Sequence, residues 1–145
     1  MSADEPLVLA GPPGIGPDIE AEALVAPDGF SARYDLDHLT GVISREAHSL
    51  YGVSIIGKVL VTAAAKGGTA TGWRLLDLVE RGTAPAGLIF RRTNPVMVQG
   101  AALAGLPILH ALAPDPVESI QSGDILRMRP TEGRVEVRRS RAFLP

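Results

Sequence analysis

The sequence runs to 145 residues with a formal net charge of −2, enough for one compact domain with a single core, and without the basic excess that nucleic acid or an anionic membrane surface calls for. Apolar residues make up 46% and charged residues 21%, an ordinary globular balance, while 16 glycines and 12 prolines imply many turns. There is no cysteine, which excludes a disulfide framework, a thiolate nucleophile and any thiolate-held zinc or iron–sulfur cluster on this chain.

No apolar run of about 18 residues is present, so no membrane-spanning helix is expected. The acidic start, Met1-Ser2-Ala3-Asp4-Glu5-Pro6, lacks the basic region of a signal peptide, and a cytoplasmic location is expected. Residues 1–145 are expected to form a single domain, with an irregular N-terminal segment over 1–18 and a tail over 139–145. The clustered Arg134, Arg138, Arg139 and Arg141 read as a solvated strand face or tail.

Taken in order, Leu7-Val8-Leu9-Ala10 is a short apolar run stopped by the proline- and glycine-rich residues 11–17. Gly14 and Gly16 do not make a phosphate loop, because the interleaved prolines lack N–H donors. Residues 19–25 read as a strand with Glu20 and Glu22 on one face and Ala21, Ala23 and Val25 on the other. Residues 30–43 read as a long connection ending in a short strand, where Arg33, Asp35 and Asp37 either meet a ligand or pair as salt bridges. His48 has no second histidine or cysteine at metal spacing and reads as a surface or capping residue, or else a ligand or base.

Residues 57–63 form the clearest strand, delivering the chain into Lys66-Gly67-Gly68-Thr69-Ala70-Thr71-Gly72-Trp73. Beyond this loop, Trp73, Leu76 and Val79, widened by Leu75 and Leu78, mark the apolar stripe of a helix ending at Gly82. Thr69 or Thr71 lies near its N-cap. Residues 86–90 are another buried strand. Asn94 and Pro95 are N-cap and N1 of a helix over 96–104 that closes at Gly105. Residues 106–109 are a strand whose proline suggests an edge or a strand start. Asp115-Pro116-Val117-Glu118 reads as a capping box opening a short helix to Gly123, and 124–129 with 134–138 as a closing hairpin. Strands and helices alternate only in the second half, so the expected class is α/β, a mixed sheet or barrel-like core flanked by helices.

A strand, glycine loop and helix in series place backbone N–H groups and the positive end of a helix dipole at one point. Lys66 adds a charge there, and Thr69 and Thr71 add hydroxyls. The loop is neither a Walker A loop nor a dinucleotide fingerprint, since the lysine precedes the glycines and Gly-x-Gly-x-x-Gly is absent. On the residues alone, it is either an anion or hydroxy-acid site or a structural turn.

An ordered set of residues resembles the small subunit, or swivelling domain, of the aconitase X family. The set comprises Phe30-Ser31, Asp37, Thr40-Gly41-Val42-Ile43, His48, Gly52, Gly57-Lys58-Val59-Leu60-Val61 and Lys66-Gly67-Gly68-Thr69. It continues through Gly82-Thr83-Ala84-Pro85-Ala86, Asn94-Pro95, Gly100-Ala101, Leu106-Pro107 and Gly123-Asp124, covering residues 20–137. A phosphohistidine swivelling domain has a similar layout but needs a loop histidine, and residues 66–73 contain none.

The resemblance implies a swivelling β/β/α domain acting as part of a hydro-lyase. A cysteine-containing large aconitase X-type subunit would carry the iron or iron–sulfur centre, with no metal ligand on this chain. The family's activities are dehydration of mevalonate 5-phosphate in archaea and of cis-3-hydroxy-L-proline in bacteria. With one loop lysine, the expectation here is a cis-3-hydroxy-L-proline-like small carboxylate. The alternatives are mevalonate 5-phosphate and a non-catalytic carboxylate-binding module. Such a lyase removes a proton α to a carboxylate and expels hydroxide. The family loop commonly offers serine, whereas this one offers Thr69 and Thr71, the candidates for base or carboxylate ligand. Lys66, Gly67, Gly68, Ala70, Ser31, Arg33, His48 and Asn94 are the expected substrate-binding residues.

Overall fold

The computed structural model describes residues 7–139, and for residues 69–71 the backbone only. Seven strands form one mixed sheet. β1 (Leu7–Ala10), β2 (Ile19–Val25), β5 (Val59–Ala64), β6 (Gly87–Arg92), β7 (Ile108–His110), β8 (Ile125–Arg129) and β9 (Arg134–Arg138) lie in the order β1-β9-β8-β2-β5-β6-β7. Between β2 and β5 the chain makes a separate two-stranded ribbon, β3 (Leu36–Asp37) with β4 (Val42–Ile43). β2, β5, β6 and β7 run parallel, and β2, β8, β9 and β1 pair antiparallel.

The parallel strands are buried on both faces, so their side chains alternate between two apolar clusters. Leu24, Leu60, Leu88, Phe90 and Ile108 enter one, packed with the helices and residues 30–55. Ala23, Val59, Val61, Ile89 and Leu109 enter the other, with Leu9, Leu126, Met128, Val135 and Val137 from the antiparallel half. The free edges are stitched together, as Ala10 exchanges backbone hydrogen bonds with Ala113 and Ile15 bridges to Ile108. The sheet therefore curls around the second cluster, the barrel-like core expected from the sequence. The antiparallel half turns its other face to water. There Glu20 pairs with Arg127 at 3.5 Å and Arg138 at 2.6 Å, and Arg129 pairs with Glu136 at 3.4 Å. Arg134 and Arg138 thus belong to an exposed strand face, and Arg141 lies outside the described residues.

Helix α1 (Thr69–Arg81) and helix α2 (Pro95–Ala104) end at Gly82 and Gly105, both left-handed. Four expectations need correcting. The segment 1–18 contains a regular strand, β1, because its apolar residues pair with β9. Helix α1 starts at Thr69 with Gly68 as N-cap, so residues 69–73 are its first turns rather than loop, and neither threonine is the cap. Its buried face is Leu75 and Leu78, both fully buried, whereas Trp73 is 62% exposed and Val79 38%. Finally, the short helix α3 is only Pro116–Ser119, and Asp115 makes no side-chain cap bond because its carboxylate is taken by Arg91 at 2.7 Å.

Candidate functional site at the ends of the parallel strands

The C-terminal ends of parallel strands are where α/β folds place ligand sites, because loops and helix N-termini converge there. Here three connections meet. The segment after β2 runs alongside the end of β5, with Phe30 N–H donating to Ala64 at 2.8 Å and Lys66 N–H to Phe30 at 2.9 Å. The β6–α2 connection joins through Asn94, whose side chain accepts from Met97 N–H at 2.8 Å, as the expected N-cap, and donates to Ala65 O at 3.3 Å. The Lys66-Gly67-Gly68 turn then leads into α1. Gly67 sits at φ 105°, a conformation L-residues avoid. Gly68 is extended, and a β-carbon there would meet nothing within 4 Å among the described residues.

The centre of this arrangement is Asp35, whose side chain is 0% exposed. Its Oδ2 accepts from Ser31 N–H at 2.8 Å and faces Lys66 Nζ at 3.3 Å. Its Oδ1 faces Arg45 Nη1 at 3.3 Å. A carboxylate so deeply buried is tolerated because it is ion-paired and hydrogen-bonded. The Lys66 side chain is 42% exposed, and that of Arg45 51%, so both cations also reach solvent. The stem of Lys66 lies over Gly29, where a β-carbon would come within 2.9 Å of Lys66 Cδ.

His48 supports this floor from beneath. Leu50 N–H donates to Nδ1 at 3.1 Å, so the proton resides on Nε2, which meets Gly29 O at 3.0 Å. Both ring nitrogens are thereby occupied by backbone groups. Next to it, Asp28 is pushed up by burial, but the hydrogen bonds from Ser49 outweigh that and leave its carboxyl below the usual range.

Of the residues expected from the sequence, Lys66, Gly67, Gly68, Ser31, His48 and Asn94 gather at this point. Arg33 is exposed, its guanidinium 5.4 Å from the centre of the Tyr34 ring, and no described contact ties it to Lys66. Thr69, Ala70 and Thr71 begin α1 in backbone position, and their side chains lie outside the described residues. Asp35 as a hub, Arg45 and Gly29 are not apparent from the sequence. For Asp35 the salt-bridge alternative holds, and the Ser31-to-Asp35 spacing suits a side chain folding back onto a backbone N–H.

Among the described residues no group of three or more His, Cys, Asp or Glu side chains is placed to hold a metal ion. What the arrangement offers is cations, amides and a helix N-terminus, the chemistry of an anion site.

Fold and site together define a swivelling α/β domain that presents a cationic glycine turn at one end of its parallel strands. The chain belongs to the aconitase X swivel domain family, whose model matches residues 9–137. It is 36% identical to the phosphomevalonate dehydratase small subunit of Methanopyrus kandleri over 119 residues, 82% of this chain and 87% of the relative. Against the protein of the same name from Methanosarcina acetivorans, identity is 36% over 118 residues, 81% and 82% of the two chains. The crystal structure of Thermococcus kodakaraensis aconitase X in its holo-form superposes with a TM-score of 0.84 at 25% identity, covering 90% of this chain and 98% of that one. A UPF0107 protein solved by solution NMR gives 0.80 at 29% identity, with the same coverage.

Proposed function

We propose that this chain is the small subunit of a two-subunit aconitase X-type hydro-lyase that dehydrates mevalonate 5-phosphate. The observation carrying this reading is the 36% identity, over most of both chains, to small subunits named for that reaction. The relatives thus favour mevalonate 5-phosphate, the alternative substrate, over the expected cis-3-hydroxy-L-proline-like acid. The site geometry supports an anionic substrate, since Lys66 and Arg45, which share the Asp35 carboxylate, are both partly exposed.

In this reading a cysteine-containing large subunit completes the active site and holds the iron or iron–sulfur centre. That centre, when bound, supplies Lewis-acid help to the departing hydroxide. This chain holds the substrate's anionic group on Lys66 and the amides of Gly67 and Gly68. The α1 dipole favours the same negative charge. Thr69 or Thr71 takes the proton α to the carboxylate or binds the carboxylate. Ser31 and Asn94 fix the walls of the turn through Asp35 and Ala65. The reading includes a cytoplasmic location and no nucleic-acid or membrane partner, and no described helix is long and apolar enough to cross a membrane.

The test is reconstitution with the large subunit, followed by separate assays of Thr69→Ala and Thr71→Ala on mevalonate 5-phosphate. Loss of kcat in one variant with KM retained identifies the base. Full activity in both removes the hydroxyl from the mechanism. A complex inert on both candidate substrates supports instead a non-catalytic carboxylate-binding module.

A further inference from the structure

We propose that Asp35 is a positioning residue: its buried carboxylate aims Lys66 and Arg45 at the substrate's anionic group without touching the substrate itself. The inference deepens the functional reading and rests on it for the identity of the anion. Asp35 is 0% exposed, so it cannot meet a ligand directly, yet it contacts two side chains that can. Its own position is over-determined. Its N–H donates to Ser31 O at 3.0 Å, and its carbonyl accepts from Ser44 N–H at 2.9 Å and Arg45 N–H at 3.4 Å. Its carboxylate accepts from Ser31 N–H at 2.8 Å. The carboxylate is therefore a fixed point from which the two flexible cations hang.

The charge count gives this geometry a purpose. One carboxylate stands against two cations at 3.3 Å each, so the group that Lys66 and Arg45 share balances only one of their two charges. An ammonium on a four-carbon stem is free to sample many rotamers, and holding it in one orientation removes that entropy before the anion arrives. Gly29 completes the device, because the Lys66 stem crosses the space that a β-carbon would fill.

The test has two arms. In the first, the isolated full chain is titrated with inorganic phosphate while the Gly67 and Gly68 amide shifts are followed. Wild type is expected to bind saturably, with Asp35→Asn and Lys66→Met each weaker by about tenfold. The Asp35→Asn/Lys66→Met double variant should lose less than the product of the two single losses, since Asp35 acts in part through Lys66. Gly29→Ala, whose β-carbon would press on the Lys66 stem and on Ala64 O at 3.0 Å, should weaken phosphate similarly, and Asp35→Glu should recover part of the loss. Multiplicative losses in the double variant, phosphate binding unchanged by Asp35→Asn or Gly29→Ala, or absent from wild type, overturn the proposal. In the second arm the two-subunit enzyme is assayed on mevalonate 5-phosphate. The expected result is a raised KM with a smaller change in kcat for the same variants. Phosphate binding that responds as expected, alongside a complex inert on mevalonate 5-phosphate, upholds the positioning role while rejecting the substrate.

Discussion

Gly100 of α2 lies against Gly72 of α1 so closely that a β-carbon on Gly100 would come within 2.7 Å of the Gly72 carbonyl oxygen. A β-carbon on Gly72 would in turn meet α2 at Val96 O, 3.1 Å away. This crossing pins the first turns of α1 to α2 and so fixes where the glycine turn opens. Gly100→Ala is expected to lose about 1–3 kcal/mol through overpacking, even though alanine is the better helix former. Urea midpoints of the two chains measure it, and an unchanged or raised midpoint rejects the crossing as a constraint.

Gly68 presents the opposite case. It is extended, and the described residues leave room for a β-carbon, so the fold gives no reason for glycine there beyond its suitability as an N-cap. Gly68→Ala should change stability by no more than about 1 kcal/mol, the scale of a cap substitution. Its kcat/KM in the two-subunit enzyme should fall about tenfold or more, about 1.4 kcal/mol of transition-state stabilisation, because the methyl group occupies the ligand's approach. Steady-state kinetics beside a melting curve separate the two effects, and undiminished kcat/KM removes the turn from the site.

His48 should be the Nε2–H tautomer wherever it is neutral, since Nδ1 accepts from Leu50 N–H and Nε2 faces Gly29 O. Long-range ¹H–¹⁵N spectra read this directly, and an Nδ1–H ring contradicts it. His48→Ala leaves two backbone groups without their partner and should lower stability by about 1–3 kcal/mol.

The pair between Arg91 and Asp115 ties the end of β6 to the start of α3. The Arg91 hydrogen bond, opposed by burial, holds the Asp115 carboxyl below its ordinary value. Its contribution is present above the unfolded carboxylate value, about 3.9, and is lost as pH falls through the lower folded value. Wild type should therefore exceed Arg91→Met in stability at neutral pH, with the gap closing below about pH 4. For so exposed a pair the gap should be small and should shrink further with added salt. A gap that widens on acidification contradicts the assignment.

Much of this fold is legible in residue order. The alternating pattern of residues 19–25, the β-branched run before Ala64, and Asn94-Pro95 at the head of α2 each announce their element through local chemistry. The start of α1 does not. Three glycines and two threonines over 67–72 read as loop by propensity, and it is the close Gly72–Gly100 packing, a tertiary contact, that accompanies helix there. The same holds in the site. Lys66 and the glycine turn are visible as a cluster, whereas Asp35 becomes a hub only because residues 30–45 fold back beside β5 and bury its carboxylate. A buried charge with partners 10 and 31 positions away leaves no periodic trace in the sequence.

The most direct measurement is the turnover of mevalonate 5-phosphate and of cis-3-hydroxy-L-proline by the complex of this chain with its large subunit, set against each subunit alone. The account predicts dehydration of mevalonate 5-phosphate by the complex, none by this chain alone, and a much lower kcat/KM for the hydroxyproline. Preferential turnover of cis-3-hydroxy-L-proline, or activity of this chain without a partner, would contradict it.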